Sequence, residues 1–491
     1  MTSRPWVRSE PVLVAAMAAA VLALHLATNG LYDFHRDSLY YLDSARHPAW
    51  GYVDYPPVTP TIARLSLALF GPSVWGLRLW PSIAGALMVV LTAMIARELG
   101  GGRAARLLAG LGAATSLVLL GANWLFQTVT FDQVVWLSSL WIVARLLRTG
   151  DRRLWLALGL VIGIGLETKY TVIGLIAGLV AGVLLTRLRR HLLTPWPWLG
   201  AGLALLIFLP NLIWQAQNDW PSVQYTFNHK AAQSVDFSPV TFLVQQIPLI
   251  GPLAIPVWIA GLYWLLRDPG RRTLGIAAAV PLVIFLFAGK SYYVGPLHPF
   301  LIGAGACAIE EWTGERRRWL RPVVALALTA QALILLPLAL PVLPEASMAR
   351  SQLPSIRKDF ADTVGWHDLV GQVAEVYKSL GPGERAQAVI LANNYGEAGA
   401  INTYGPAKGL PTAYSGELSY YYWRPASLQG PVIAIGFDPP FLRTLFANCD
   451  QVGTISNAYG LRNEEYGAPL AVCRGPKFSL DRLWSRLRVF Q

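Results

Sequence analysis

The chain has 491 residues, of which 54% are hydrophobic and only 14% are charged. Soluble domains are about a quarter charged, so this composition excludes an ordinary soluble protein and indicates a membrane protein. The formal net charge of +12 could suggest nucleic-acid binding, but the basic residues stand in short runs between apolar segments, as in cytoplasmic loops. We therefore expect membrane lipids, and no nucleic acid, among the partners.

The first apolar run, from Val12 to Leu31, is long enough to span a bilayer. It has no small-residue cleavage signature at its end, so we expect a retained helix and not a removed signal peptide. Ten further segments bring the predicted number of spans to about eleven. The eleven segments are 12–31, 74–96, 104–122, 131–147, 154–167, 170–186, 198–214, 247–266, 273–289, 293–309 and 320–343.

Arginine clusters lie in every second connection between these segments, near 97–106, 145–153, 187–190, 267–272 and 316–321. The positive-inside rule places these connections, and the N-terminus, in the cytoplasm. An odd number of spans then places everything after Pro344 outside. The two shortest segments could instead form one re-entrant hairpin, but the alternation of basic connections would then fail.

The chain changes character after residue 344, where the apolar runs shorten to strand length. Strands alternating with helices predict a small extracytoplasmic α/β domain over 345–491, after a helical membrane domain over 1–344. The predicted strands and helices are 388–391, 432–435, 470–473, 366–380 and 479–488. Cys449 and Cys473 both lie here, and an oxidising compartment would allow a disulfide between them, although spacing alone does not establish it.

The most informative stretch directly follows the first apolar segment, where a membrane protein usually has a short, featureless loop. Residues 34–57 contain three carboxylates (Asp37, Asp43 and Asp54), two histidines, four tyrosines and a Pro-Pro pair. Acidic groups held at a bilayer surface are costly and usually functional, and a carboxylate there can remove a proton from a hydroxyl group. The loop therefore predicts chemistry at the outer face of a membrane.

Further charged residues fall in the predicted outer connections or at their edges: Arg78, Asp132, Lys169 and Lys290. Carboxylates and cations would thus share one side of the membrane. Transfer of a group from a lipid phosphate needs this combination, because a carboxylate activates the acceptor hydroxyl while Lys and Arg stabilise the departing phosphate.

Three sequence elements resemble a known family: Arg-Asp-x-x-Tyr-Tyr at 36–41, Tyr-x-Asp-Tyr-Pro-Pro at 52–57 and Gly-Lys-x-Tyr-Tyr-x-x-Pro-x-x-Pro at 289–299. They are similar to the bacterial GT-C glycosyltransferases related to protein O-mannosyltransferases, a group that includes the lipid A aminoarabinose transferases. Segments 393–400 and 415–421 resemble uncharacterised bacterial members. The resemblance implies a polytopic helical bundle in the bacterial cytoplasmic membrane, with an outer active site and a polyprenyl-phosphate-linked sugar as donor. The acceptor would be an envelope lipid, glycan or protein.

Carried over residue by residue, the resemblance gives Asp37 the position of the essential acidic residue of the first loop. It gives Asp132 the position of the acidic residue of the second loop. We expect Asp37 to act as the base of an inverting transfer. Asp54 and Asp132 would position the acceptor or hold a divalent ion, with no other cofactor and no dedicated metal site. The cations expected at the donor phosphate are Arg78, Lys169 and Lys290. The tyrosines expected at the sugar or acceptor are Tyr40, Tyr41, Tyr55 and Tyr293.

The sequence also departs from the family. Ser38 follows Asp37 where protein mannosyltransferases usually carry a second acidic residue, and Tyr55 follows Asp54 where aminoarabinose transferases carry a lysine. The missing lysine leaves binding of the donor phosphate to other cations. Fold is therefore a firmer expectation than the identity of the donor sugar.

Each candidate also has a purely structural interpretation. Asp37 could cap a helix over 38–45, Asp54 could start the helix after Pro57, and Asp132 could cap the fourth span. The lysines could extend to the lipid headgroups, and the tyrosines could be membrane-interface residues. His298 is a more typical bundle residue than a metal ligand.

Two other classes of protein are alternatives to a membrane glycosyltransferase. A polytopic transporter or lipid flippase would be expected to have repeated halves and polar residues at mid-bilayer depth, and the sequence indicates neither. A noncatalytic surface-binding protein would not explain the composition of the first loop. Within the enzyme class, an oligosaccharide ligase and a lipid A modifier both stay open.

Overall fold

The computed structural model describes residues 5–233 and 238–490. The α-helices of the first 340 residues are α1 (Pro5–Thr28), α2 (Arg36–Arg46), α3 (Val58–Phe70), α4 (Val74–Glu98), α5 (Arg103–Ala114), α6 (Leu117–Trp124), α7 (Thr128–Thr149), α8 (Leu154–Leu166), α9 (Val172–Leu184), α10 (Pro195–Gln217), α11 (Pro221–Gln233), α12 (Pro239–Ile250), α13 (Ile255–Arg267), α14 (Arg272–Ala288), α15 (Leu297–Thr313) and α16 (Leu320–Ala339). Short 3₁₀ turns cover Arg187–Leu193 and Ser291–Val294.

The rest of the chain alternates short helices with strands. Its helices are α17 (Glu345–Ala349), α18 (Leu353–Ile356), α19 (Lys358–Ala361), α20 (Trp366–Ser379), α21 (Pro382–Arg385), α22 (Tyr395–Tyr404), α23 (Pro439–Leu445) and α24 (Leu480–Leu487). Its strands are β1 (Val389–Ala392), β2 (Ala413–Ser415), β3 (Val432–Ile435), β4 (Phe446–Thr454) and β5 (Pro469–Pro476). The predicted strands and helices all lie on elements of the predicted type.

The chain forms two compact units. The helical unit consists of Met1–Asn29, Arg78–Trp214 and Ser234–Leu340. The mixed unit consists of Gly30–Leu77, Gln215–Gln233 and Pro341–Gln491, so it contains the first loop as well as the C-terminal residues. This division differs from the expected domains, 1–344 and 345–491, because α2 of the first loop packs closely on α22 of the C-terminal region.

All eleven predicted apolar segments fall on helices, but the predicted count of eleven spans is not confirmed. Within the described residues, five helices are long and apolar enough to cross a membrane: α1, α4, α7, α10 and α16. The number rises to eight if each of three bent helix pairs is one span. The sharpest bend, 110° between α12 and α13, follows Gly251, whose φ of 89° an L-residue rarely adopts. The protein is thus a multi-pass membrane protein.

The mixed unit is built on a five-stranded sheet with the order β2-β1-β3-β5-β4. Strands β1, β2 and β3 are parallel, while β5 runs antiparallel to both β3 and β4. Cys449 on β4 lies directly opposite Cys473 on β5, and the two form a disulfide. One face of the sheet packs on α23 and α24, around a buried core that includes Val432, Phe446 and Trp484.

The first loop is held on this unit by close helix packing. Gly399 of α22 faces Leu39 of α2 so closely that a Cβ atom at 399 would lie 2.8 Å from the Leu39 Cβ. The absence of a side chain at Gly399 therefore allows the contact between the two helices. This packing brings the start of α22 to the start of α2, where Asp37 lies.

Candidate active site

Asp37 lies in the first turn of α2, but it does not cap the helix. The N-cap is His35, whose Nδ1 accepts a hydrogen bond from the Asp37 N–H at 3.2 Å. The Asp37 side chain is about one-third exposed (33%), and its Oδ1 accepts a hydrogen bond from the Tyr395 hydroxyl at 2.8 Å. A carboxylate that is anchored on one side and accessible to solvent fits the geometry of a general base.

Asp54 does not start α3, whose N-cap is Pro57. Its Oδ1 accepts a hydrogen bond from the Tyr40 hydroxyl at 3.0 Å, and that hydroxyl accepts one from the Ser419 N–H at 2.9 Å. Burial raises the pKa of Asp54 to about 8, the Tyr40 hydrogen bond opposes this shift, and the charge of Asp37 adds to it. Asp54 is therefore mostly protonated at neutral pH, which reduces the negative charge beside its neighbour Asp37.

The tyrosines of the first loop are core residues of the mixed unit. Tyr40 is 2% exposed, and its ring stacks with Tyr395 and Tyr420 at centroid distances of 5.1 and 5.7 Å. Tyr41 and Tyr55 are also buried and pack on each other, at 4.8 Å. Within this unit other aromatic rings pack against Tyr40, so its ring contributes to the core of the unit.

Two C-terminal residues complete the surroundings of Asp37, and sequence reasoning did not single out either side chain. Tyr395 is the first residue of α22, and its backbone N–H donates to Glu417 Oε2 at 2.7 Å. Burial raises the pKa of Glu417 to about 6. The guanidinium of Arg36 lies over the Tyr395 ring, 4.9 Å from its centroid. The only sequence signal for these residues was that segments 393–400 and 415–421 resemble the family.

Asp43, the third carboxylate of the loop, has a structural role. It is 1% exposed and accepts hydrogen bonds from Asn402, at 2.7 Å, and from the Tyr420 hydroxyl. Arg46, one turn further along α2, forms an ion pair with it. The hydrogen bonds from Asn402 and Tyr420 attach α2 to the C-terminal part of the mixed unit, whereas the ion pair with Arg46 lies within α2.

In the helical unit, Asp132 lies beyond the start of α7, whose N-cap position is occupied by Gln127. It is 2% exposed, and its two oxygens accept hydrogen bonds from Trp136 Nε1 at 3.0 Å and Thr171 Oγ1 at 2.7 Å. The capping interpretation therefore does not apply. The second bond links α7 to the residue that precedes α9.

Lys169 and Lys290 come together around a pair of tyrosines. Lys169 Nζ donates to Thr128 Oγ1 at 3.3 Å and lies 5.7 Å from the centroid of Tyr292 and 5.4 Å from that of Tyr293. Lys290 Nζ lies 6.0 Å from the centroid of Tyr292. Two ammonium groups beside one aromatic pair make a positively charged cluster, which we call the lysine cluster.

Arg78 belongs to a different set of contacts within the helical unit. It is 2% exposed, its Nη1 donates to the carbonyl of Asn29 at 2.7 Å, and its guanidinium lies 4.7 Å from the Trp124 ring centroid. Asn29 Nδ2 donates to Ser82 Oγ at 2.9 Å, which joins the end of α1 to α4. These contacts within the helical unit explain how the charge of Arg78 is accommodated in a buried position, and no bound phosphate is needed for that explanation.

The described residues, 5–233 and 238–490, include no group of three or more His, Cys, Asp or Glu side chains placed to hold a metal ion. His298 is fully buried, with Nε2 3.2 Å from Gln246 Oε1. His298 therefore lies buried in the helical bundle, in polar contact with Gln246, which is the structural role that the sequence favoured over metal binding.

The fold has solved relatives. ArnT from Cupriavidus metallidurans bound to undecaprenyl phosphate superposes with a TM-score of 0.60 at 18% identity, covering 96% of this chain and 98% of ArnT. The apo form of the same protein gives 0.62 at 17% identity, covering 95% and 98%. AglB, an oligosaccharyltransferase from Archaeoglobus fulgidus, gives 0.46 at 11% identity, covering 81% of this chain and 63% of AglB. Among curated proteins, no sequence matches the chain significantly.

Residues 54–214 match the dolichyl-phosphate-mannose-protein mannosyltransferase family. This match covers about a third of the chain, and over its full length the likeness to ArnT shows a shared fold. The resemblance drawn from its sequence motifs is thereby confirmed, and so is the predicted fold class, a helical membrane bundle with a small C-terminal α/β part. Asp54, Arg78, Asp132 and Lys169 fall within the matched segment, whereas Asp37 precedes it.

Proposed function

We propose that this GT-C protein transfers a sugar from a polyprenyl phosphate to a hydroxyl group of an envelope lipid, glycan or protein. The observation that carries the proposal is Asp37. This carboxylate is anchored by Tyr395, remains accessible, and stands in the first-loop motif that carries the resemblance. The undecaprenyl phosphate bound to the structurally similar ArnT supports the choice of donor class.

Asp37 acts as the general base in the proposed reaction. It accepts the proton of the acceptor hydroxyl while that oxygen attacks the anomeric carbon of the sugar. A new bond forms between this oxygen and the anomeric carbon as the bond from the anomeric carbon to the phosphate oxygen breaks. The polyprenyl phosphate leaves from the opposite face with the electron pair of that bond, so the anomeric configuration inverts. A phosphate is a good leaving group, so the reaction needs no general acid.

Asp54 and Asp132 serve as positioning residues and not as additional bases. The pKa of Asp54, about 8, keeps most of its carboxyl protonated at neutral pH, so it can donate as well as accept a hydrogen bond. Asp132 uses both oxygens to bind Trp136 and Thr171. Replacement of either acid should therefore reduce activity less than replacement of Asp37.

The lysine cluster binds the donor phosphate. Lys169 and Lys290 both carry ammonium groups beside Tyr292, and charge-assisted hydrogen bonds from them would stabilise the phosphate as it gains charge. Arg78 has a weaker claim to this role, because its guanidinium already contacts Asn29 and Trp124. If a purified preparation used a nucleotide sugar directly, without a lipid carrier, the proposed donor would be wrong.

The reaction takes place at the outer face of the bacterial cytoplasmic membrane, with the C-terminal residues outside the cytoplasm. The alternating arginine clusters support this orientation. The disulfide between Cys449 and Cys473 is consistent with it, since disulfides persist in oxidising compartments.

The test is Asp37→Asn, which keeps the shape of the side chain and removes its basicity. A deletion strain is complemented with the wild type, Asp37→Asn or Asp33→Asn, and its envelope glycolipids and glycoproteins are compared by mass spectrometry. Asp33 is a matched control, because it lies in the same loop and also accepts a tyrosine hydroxyl, that of Tyr404.

We expect Asp37→Asn to form product about 10²- to 10⁴-fold more slowly than the wild type, because this is the usual contribution of a general base. Asp33→Asn should form product at nearly the wild-type rate. The anomeric configuration of the product, determined by NMR, should be opposite to that of the donor. Near-normal product formation by correctly inserted Asp37→Asn, or retention of configuration, would refute the mechanism.

A further inference from the structure

The hydroxyl of Tyr395 is the link between Asp37 and the C-terminal part of the mixed unit. It donates to Asp37 Oδ1 at 2.8 Å across 358 residues of sequence. Burial, and then the negative charge of Asp37, hold the pKa of Tyr395 well above its usual value. Tyr395 therefore stays protonated, and stays a hydrogen-bond donor, over the whole pH range in which an enzyme of this kind would work.

The backbone at Tyr395 is fixed on both sides. Its N–H donates to Glu417 Oε2 at 2.7 Å, and the preceding residue, Asn394, forms a complete capping box with Glu397 at the start of α22. Buried, paired groups of this kind have little freedom to shift. The start of α22 thus holds the tyrosine hydroxyl at a defined place beside Asp37.

The ring of Tyr395 has packing contacts that do not depend on its hydroxyl. It stacks with Tyr40 at a centroid distance of 5.1 Å and lies under the guanidinium of Arg36 at 4.9 Å. Phenylalanine would retain both contacts. A phenylalanine substitution therefore separates the role of the hydroxyl from that of the ring.

We propose that Tyr395 is a positioning residue for the reaction: its hydroxyl holds Oδ1 of Asp37 and so fixes the orientation in which the carboxylate meets the acceptor hydroxyl. This inference rests on the proposed function, in which Asp37 is the base. A single carboxylate that can rotate freely would present its basic oxygen in the productive orientation only part of the time. The C-terminal α/β part would then contribute directly to the arrangement of the catalytic residue.

The hydrogen bond also affects the pH dependence of the reaction. A donor stabilises the ionised carboxylate, so its removal makes that carboxylate harder to ionise. Activity, which requires the ionised form, should then be lost at a higher pH than in the wild type. The other charged groups near the pair are His35, Arg36, Asp54 and Glu417, and all of them are unchanged in a Tyr395→Phe variant.

The experiment adds purified Tyr395→Phe to envelope membranes of the deletion strain, which contain donor and acceptor, and measures product by mass spectrometry from pH 5 to 9. We expect the rate at the optimum to fall about 10-fold and the acid limb of the profile to move up by about one pH unit, as for the loss of one hydrogen bond to a charged group. Tyr404→Phe is the matched control, because Tyr404 lies in the same helix and donates to Asp33.

A double-mutant cycle distinguishes this inference from the proposed function. Tyr395→Phe should cause no further loss when it is added to Asp37→Asn, because the two residues act through one hydrogen bond. An active Asp37→Asn variant would overturn the proposed function itself. An inactive Asp37→Asn variant, together with Tyr395→Phe that behaves like Tyr404→Phe, would overturn only the role of Tyr395.

A second variant keeps the test informative if Tyr395→Phe fails to fold. Incorporation of a ring-fluorinated tyrosine at 395 retains the size and the hydroxyl but makes it a stronger hydrogen-bond donor. The acid limb should then move to lower pH, in the opposite direction to that expected for phenylalanine. A limb that moves upward, or does not move, would contradict the inference.

Discussion

Replacing Asp54 with asparagine should make the stability of the protein less dependent on pH. Burial raises the pKa of Asp54 in the folded protein to about 8, from an ordinary value of 3.8. Between these values the folded protein holds a proton that the unfolded chain releases. The free energy of unfolding is therefore highest at low pH and falls as pH rises toward 8. Asparagine cannot ionise, so this decrease should disappear from the variant.

The size of the effect follows from the gap between the two pKa values. Each pH unit corresponds to about 1.4 kcal/mol, so a gap of about four units sets an upper limit of roughly 5 to 6 kcal/mol. Asp54 is only partly buried, and solvent screens its charge. We therefore expect about 2 to 3 kcal/mol. Asparagine retains a carbonyl oxygen that can accept the Tyr40 hydrogen bond, so the contact itself need not be lost.

The assay is thermal unfolding of the purified protein in detergent from pH 5 to pH 8. The melting temperature of the wild type should fall by about 5 °C more across this range than that of Asp54→Asn. Asp438→Asn, which changes an exposed acid of the same unit, should behave as the wild type. Identical pH dependence in the wild type and Asp54→Asn would refute the assignment of a raised pKa to this carboxyl.

Four further outcomes can be measured. Gly399→Ala should lower the free energy of unfolding by about 1 to 3 kcal/mol through steric overlap, whereas Gly371→Ala, whose Cβ has no heavy atom within 4 Å, should be neutral or stabilising in the same melting experiment. Cys449→Ser should cost about 3 kcal/mol through loss of the disulfide, and an unchanged melting temperature would contradict this. Lys169→Met should lower turnover more than donor affinity, and an effect on affinity alone would count against a role in the transition state. A reporter fused after Pro344 should be active only outside the cytoplasm, and cytoplasmic activity would overturn the proposed orientation.

Sequence alone was sufficient to locate most secondary structure, because local apolar patterns decide it. The run at 432–435 is β3, and the stretch at 366–380 is α20. The same apolar patterns did not determine the number of membrane spans. Two apolar helices such as α12 and α13 can meet at a bend of 110°, and hydropathy does not record the bend.

The residue types of the first loop indicated a chemical site, since clustered acids at a membrane surface are costly. The residue types of the loop could not indicate which carboxylate each tyrosine or other side chain would contact. Tyr40 was expected at a sugar, but its ring is packed between other rings and its hydroxyl binds Asp54. Burial of Asp54, which sets its protonation, also depends on residues distant in the chain.

The sequence by itself determined the membrane class and the family resemblance, and it indicated Asp37 and its loop as the candidate site. Only the tertiary structure decided that α22 packs on α2 and brings Tyr395 within 2.8 Å of Asp37. The two residues are 358 positions apart, and no local pattern relates them. Their contact depends on the close approach at Gly399 and on the fold of the sheet behind it, and both of these are properties of the folded chain as a whole.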